Sequence, residues 1–385
     1  MPLPVAEMRG LLSEYPATPV VATVGSHSAL DIADGAASEG LATLVLAQAG
    51  RDATYTKYFR STHGPPGFPR RGCVDEVWTY PKFAELAAPA VQERLRRKGA
   101  VLVPNRAFSS YLPLSAIEDE FRVPIVGSRS LLRIEERTER ENYYTLLQKA
   151  GIPTPTRLAG PDAIDRLAIV KLPHATRRLE RGFFTAASPK EYREKTERLL
   201  ARGTILPEDL RTARIEEYIL GPVFNFNYFF SPLVPRSEGL ELLGVDERRE
   251  SDLDGLVRLP AAQQLELSES ARIPEYTVVG HGTLTVRESI LDEVYRLGEK
   301  FVDAARERYP PGILGPFCLQ TCLDRNGHAT VFDVAARIGG GTNVHLALGH
   351  PYGNALWRTP MSTGRRIALE IRRAAAEGRL EEIVT

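Results

Sequence analysis

Gln320, Asp333 and Arg337 each place a side chain that handles charge inside a stretch that otherwise reads as buried strand. Gly315-Pro316-Phe317-Cys318-Leu319-Gln320-Thr321-Cys322-Leu323 and Thr330-Val331-Phe332-Asp333-Val334-Ala335-Ala336-Arg337 are β-prone. Between them lies Asp324-Arg325-Asn326-Gly327, a connector that tolerates positive φ. Alternation puts Phe317, Leu319 and Thr321 on one face and Cys318, Gln320 and Cys322 on the other. It gives Asp333 the face of Val331 and Ala335, with Arg337 at the same parity. A carboxylate, a carboxamide and a guanidinium sharing one space, with Gly339-Gly340-Gly341-Thr342-Asn343 just beyond, suit a hard divalent cation holding phosphate oxygens. A solvated hairpin whose Asp and Arg pair with each other would use the same residues without chemistry.

Three further stretches carry chemistry. Pro19 to Val24 is an apolar strand that breaks at Gly25-Ser26-His27-Ser28 and runs on at helical spacing from Ala29 to Ala37. Ser26 and His27 therefore sit in a loop whose amides, with a helix N-terminus, face an anion. Lys171 lies inside the apolar run Leu167 to Pro173, where an ammonium is costly unless it meets an anion such as a phosphate. The basic loop 174–184 follows. Ala213 to Leu220 is a strand whose exit, Glu216-Glu217-Tyr218-Ile219 before Gly221-Pro222, can offer backbone groups to adenine and a carboxylate to ribose hydroxyls. The cluster Asp246 to Asp252 reads first as a solvated loop, although its neighbourhood makes Arg248 and Glu250 pocket candidates.

The elements that position these residues follow from pattern. Strands at Pro19–Val24, Leu41–Leu46 and Ala100–Pro104 alternate with helices, which argues for a parallel α/β sheet in the first 130 residues. It lacks the glycine fingerprint of dinucleotide sites, which argues against NAD. A charged helix over Leu131–Ala150 ends at Gly151 and a proline-rich turn, marking a new domain. Phe224 to Phe230 alternates as a half-buried strand, Ile290 to Tyr309 is amphipathic, and a last helix spans Thr363–Ile383. The expected domains are 1–130, 131–222 and 223–385.

The 385 residues leave room for a substantial core, and 49 Lys plus Arg balance 49 Asp plus Glu, which gives no bias toward nucleic acid or membrane. Three cysteines form no disulfide framework or zinc spacing, and no apolar stretch suggests export or a membrane span, so a cytoplasmic protein acting on small molecules is expected.

A lysine in a strand, a loop, a Glu-Glu-Tyr-Ile strand exit and a late metal-competent hairpin, in that order, resemble the ATP-grasp fold of carboxylate–amine ligases. Ala22-Thr23-Val24-Gly25-Ser26-His27-Ser28, Ile215-Glu216-Glu217-Tyr218, Leu243-Gly244-Val245-Asp246 with Glu250-Ser251, Asp254-Gly255-Leu256-Val257-Arg258, Gly315 to Gln320, and Ala336-Arg337 with Gly340 to Asn343 look like the archaeal formate-dependent AICAR ligase family. That resemblance implies an α/β and α+β ATP-grasp fold with an N-terminal Rossmann-like (pre-ATP-grasp) domain. It also implies ATP with Mg²⁺ (or Mn²⁺) as cofactors, formate and AICAR (the 5-amino-4-carboxamide imidazole ribotide) as substrates, and a homo-oligomer.

Carried over by position, His27 and His281 would contact AICAR, Lys171 the ATP phosphates, Glu216, Glu217, Tyr218 and Ile219 the nucleoside, Glu250 the nucleotide, and Gln320 with Asp333 the metal. Arg337, Thr342 and Asn343 would hold phosphate or the acyl intermediate. The chain departs from the family pattern in four places. Loop 174–184 is poor in glycine, Arg106-Ala107 replaces a glycine-serine pair, His281 replaces an asparagine, and Asp333 replaces a glutamate. The departures leave open a paralogue that ligates another acid to another amine, or a nucleotide-binding protein without turnover.

Overall fold

A computed structural model of the chain describes residue 3 and residues 5–63, 69–137, 139–172, 183–268 and 277–385. Short β-branched and leucine runs build a parallel sheet from β1 (Val20–Val24), β2 (Thr43–Gln48), β3 (Glu76–Tyr80) and β4 (Ala100–Val103), in the spatial order β3-β2-β1-β4. Strand order reverses between β1 and β4, and open parallel sheets receive ligands in the crevice beyond the carboxyl ends at that point. The loop bearing His27 leaves β1 there and Arg106 follows β4. Asn105 ties the two exits together, its Nδ2 donating to the carbonyls of Val24 (2.8 Å), Ser26 (3.3 Å) and His27 (3.1 Å). β3 has no counterpart among the expected strands, because an edge strand such as Glu76-Val77-Trp78-Thr79-Tyr80 needs no continuous apolar run.

Two antiparallel sheets follow. β5 (Ala168–Lys171), β6 (Phe183–Ala186) and β7 (Arg214–Glu217) are ordered β6-β5-β7. β8 (Val223–Phe230), β9 (Leu240–Glu250), β10 (Val278–Thr283), β11 (Gly315–Leu323) and β12 (Ala329–Ala335) are ordered β10-β9-β8-β11-β12. One face of this larger sheet is apolar and packs Phe226, Tyr228, Phe317 and Leu319 against Val294, Leu297 and Phe301 of helix Leu291–Arg308. Each such side chain contributes about 1.5–3 kcal/mol by leaving water. The helix thereby fixes the sheet, and the opposite face is left for polar work.

Three expectations need correction. The single helix over Leu131–Ala150 is instead a 3-10 segment, Arg129–Glu135, and a separate helix, Tyr143–Lys149. Asn142 starts the second helix by accepting from Tyr144 N–H (3.0 Å), and Arg133 bonds Glu118 and Glu139, so capping and tertiary ion pairs override helical spacing. The final helix stops at Ala376, two residues before Gly378 with φ of +67°, where a glycine ends it at little cost. The charged run from Asp246 is no solvated loop, since Asp246 pairs with both β8 and β10 and β9 continues to Glu250 against β10.

Helix Thr363–Ala376 crosses helix Ala29–Ser38 at Gly35 and Gly364, where a Cβ on Gly35 would overlap the backbone of Gly364 and Arg365 and one on Gly364 that of Asp31 and Ile32. The crossing buries Asp31, whose Oδ2 accepts from Gly364 N–H (3.0 Å). Burial pushes its carboxyl up to about 6 from the ordinary 3.8, against the opposing Gly364 amide and the nearby Ser362 and Thr342 hydroxyls. A folded-state value above the unfolded one gives stability that is complete below 3.8 and lost as pH rises through about 6. Ionised Asp31 therefore costs roughly 3 kcal/mol at neutral pH. Asp31→Asn is expected to raise the melting temperature at pH 8 and to bring no gain at pH 4, as thermal unfolding across that range would show.

Candidate active site

The three-stranded and five-stranded sheets and the carboxyl end of the parallel sheet border one cleft of about 1140 Å³. His27, Lys171, Glu216, Glu217, Tyr218, Ile219, Glu250, His281, Gln320, Asp333 and Arg337, all singled out in the sequence, line it. Ser26, Thr342 and Asn343 are not among the lining residues. Ser26 Oγ lies 3.0 Å from His27 Nδ1 and orients the ring. Thr342 is fully buried beside Asp31, and Asn343 Oδ1 accepts from Asp31 N–H (3.1 Å), capping helix Ala29–Ser38 from another segment. That bond occupies one of the amides expected to face an anion. Of the basic loop 174–184, residues 174–182 lie outside the described residues.

The floor of the cleft is the polar face of the five-stranded sheet. Asp246 pairs across with Asn225, Asn225 with Gln320, and Gln320 with Asp333, so these four stand in one row over β9, β8, β11 and β12. The neighbouring row, Val245, Phe226, Leu319 and Val334, points into the core. Asp333 and Val331 do not share a face as simple alternation requires. Gln320 opposes Asp333 and Thr321 opposes Val331, so Phe332 is an extra, bulged residue that reverses parity and sends Val331 into the core.

The bulge also turns the Phe332 carbonyl toward Lys171, whose Nζ donates to it (3.1 Å) and to the Tyr144 hydroxyl (2.7 Å) and pairs with Glu216. Lys171 is 5% exposed and Glu216 1%. Burial depresses the Lys171 ammonium, and Glu216 opposes that shift. Glu216 also receives Arg214 (2.8 Å) and Tyr144 (2.9 Å), both on Oε2, while Oε1 faces the Lys171 ammonium. At the strand exit, Glu217 Oε1 accepts from Thr156 N–H (2.8 Å) and Tyr218 N–H donates to Leu167 (2.9 Å).

Burial raises the Asp333 carboxyl, but Arg137, Lys171, Arg248 and Arg106 outweigh it and hold the group below the usual carboxylate range. Arg248 also donates to Gln320 Oε1. Among the described residues no group of three or more His, Cys, Asp or Glu converges. One carboxylate and one carboxamide side by side fit Mg²⁺, which commonly takes few protein oxygens and completes its shell with water and phosphate.

Arg337 is held by Glu135 (3.1 Å) and the Ile338 carbonyl (2.7 Å), and its buried Nε has no partner among the described residues. Glu135 also reaches Arg106 (3.3 Å), joining the β4 exit to the hairpin. Glycine is needed at Gly339 and Gly341 because an added Cβ would run into Asn227 Oδ1 at the first and into Asp246 and His281 at the second. Sequence reasoning missed Glu135, Arg137, Tyr144, Asn225 and Asn227. The amides left a signal, since Asn at period two between phenylalanines marks a polar face shielded from bulk water. Glu135 and Arg137 left none, being indistinguishable from a solvated charged helix.

Among the described residues no helix is long and apolar enough to cross a membrane. A family profile described as "Domain of unknown function (DUF1297)" matches residues 191–385, and one described as "Protein of unknown function (DUF1246)" matches residues 21–158. The chain is 41% identical over 380 residues to the 5-formaminoimidazole-4-carboxamide-1-(beta)-D-ribofuranosyl 5'-monophosphate synthetase of Methanopyrus kandleri, covering 98% of this chain and 99% of that one. It superposes on the crystal structure of an IMP biosynthesis protein PurP from Thermococcus kodakaraensis with a TM-score of 0.69 at 31% identity, over 95% of this chain and all of the other (100%). A biotin carboxylase from Campylobacter jejuni matches in fold alone, with a TM-score of 0.57 at 12% identity over 92% of this chain and 71% of that one. The architecture is thus an ATP-grasp fold behind an N-terminal Rossmann-like sheet, and the chain belongs to the 5-formaminoimidazole-4-carboxamide-1-(beta)-D-ribofuranosyl 5'-monophosphate synthetase family.

Proposed function

We propose that this chain is an ADP-forming carbon–nitrogen ligase that makes the 5-formamido ribotide from formate and AICAR, through formyl phosphate. The observation that carries the reading is the 41% identity to a synthetase of that name over 98% of the chain. The cleft supports it, since a lysine, an arginine and a carboxylate–carboxamide pair border one space large enough for a nucleotide and a ribotide. Formate oxygen attacks the γ-phosphorus, ADP leaves, the ribotide amine attacks the formyl carbon, and phosphate departs with the C–O electron pair.

Lys171 holds the ATP phosphates, and the exit Glu217 to Ile219 together with Glu250 borders the nucleoside. His27, at the switch point of the parallel sheet, contacts the ribotide. Gln320 and Asp333 would hold Mg²⁺, which when bound would neutralise charge on the triphosphate. Arg337 lines the cleft with its Nε unpartnered among the described residues, and steadies the charge of the acyl phosphate. We assign residues 1–130 to the ribotide, and 131–222 with 223–385 to ATP and metal.

Arg106 favours a second reading, a paralogue with another acid or amine, because its guanidinium stands among the cleft-lining residues near His27. Purified chain is expected to release ADP and phosphate only when ATP, Mg²⁺, formate and AICAR are all present. Release that instead requires a different acid or amine selects the paralogue, and nucleotide binding without any release overturns the ligase.

A further inference from the structure

His281 and Asp246 form a unit that holding ATP and its metal does not call for. Asp246 is wholly buried, and its Oδ2 lies 2.8 Å from His281 Nδ1. The carboxyl also receives Asn225 Nδ2 on Oδ2 (2.7 Å) and Asn227 Nδ2 on Oδ1 (2.7 Å). With two amide donors fixing the carboxylate, the ring meets it as an Nδ1–H donor, and Nε2 is left as the basic nitrogen. His281 itself lines the cleft with its side chain 16% exposed, so the dyad joins a buried anchor to a surface that substrate reaches. Gly341 lies so close that any side chain there would displace the pair, and His27 approaches Gly340 from the β1 loop. Both imidazoles therefore border the glycine run.

The second half of the proposed reaction needs a proton acceptor. When the ribotide amine attacks formyl phosphate, a C–N bond forms, the C–O bond to phosphate breaks with its electron pair, and the nitrogen must lose a proton. We propose that His281 Nε2 takes that proton, with Asp246 as the positioning residue that sets the tautomer and steadies the imidazolium. This rests on the ligase reading above. The charged and titratable groups around His281 are Asp246, Glu247 and Arg248 of β9 and, through Thr283, His345. His345 stays neutral through the relevant range, since burial, with His350 beside it, lowers it to about 4.

The test separates the two half-reactions in the full chain. Acyl phosphate formed from ATP and formate is trapped with hydroxylamine, and formyl transfer to AICAR is followed across the neutral pH range. In His281→Asn, transfer is expected to fall about 100-fold, the typical share of a general base. Trapped acyl phosphate should fall far less. Asp246→Asn should lower kcat for transfer with little change in KM for AICAR. If Asp246→Asn fails to fold, His281→Asn on the edge strand β10 still decides. Parallel losses in both halves, or formyl transfer that His281→Asn leaves unchanged, overturn the dyad. A wild-type chain that yields no trapped acyl phosphate overturns the ligase reading and the dyad's role with it.

Discussion

Asp333→Asn is expected to cut turnover by more than about 100-fold and to leave a folded chain whose melting temperature is lower, because cations that now favour the carboxylate lose it. Changing a group that merely supports a ligand costs about 10- to 100-fold in metal affinity or activity, so replacing the anionic donor itself should exceed that. The fold should survive because the substitution is isosteric and keeps the Oδ1 acceptor for Val334 N–H (3.1 Å). The charge change should act on the nucleotide as well. Arg137, Lys171, Arg248 and Arg106 now share the field of one carboxylate, and without it they present uncompensated positive charge to the triphosphate. Nucleotide binding should therefore persist and lose its dependence on divalent ion. Isothermal titration of ATP with and without Mg²⁺, and the electron spin resonance of bound Mn²⁺, read these effects apart from activity. An unchanged rate, or Mn²⁺ held as tightly as before, would remove Asp333 from the metal site.

How the sequence exposed that residue, and hid its neighbours, has a physical basis. Gln320 and Asp333 were legible because strand interiors seldom carry polar groups, and Lys171 because a buried ammonium demands a partner. The partner was not legible. Lys171 suggests an anion, and Glu216, two residues from Arg214 on β7, supplies one within the protein itself. The hairpin turn was readable from Asp324 to Gly327, whereas the bulge at Phe332 was not, because no residue there forces it and only the core position of Val331 reveals it. Thr342 and Asn343, expected as ligand contacts from their place after a triple glycine, lie where two helices cross, with Asn343 capping one of them and Thr342 buried. The parallel sheet was visible in β1, β2 and β4, whose centres are apolar, and its edge β3 was not.

Lys171→Met is expected to weaken ATP binding by more than about 100-fold and also to destabilise the chain, and the two effects come apart in a second variant. The ammonium stands 2.7 Å from the Tyr144 hydroxyl and 3.1 Å from the Phe332 carbonyl, with the Glu216 carboxylate against it. Removing one partner of a buried pair costs about 3–5 kcal/mol when the other charge is stranded. Arg214 still reaches Glu216 at 2.8 Å, so the loss should lie at or below the lower end of that range. In Lys171→Met with Glu216→Gln no carboxylate is left to strand, and most of the stability should return, as it does when a buried pair is replaced whole. Nucleotide affinity should not return, because neither methionine nor glutamine offers a cation to the phosphates. Chemical denaturation and ATP titration of both variants test the separation. If ATP affinity recovers together with stability, Lys171 serves the strand pairing of β5 and β7 and not the triphosphate, and the nucleotide must be held by the arginines bordering Asp333.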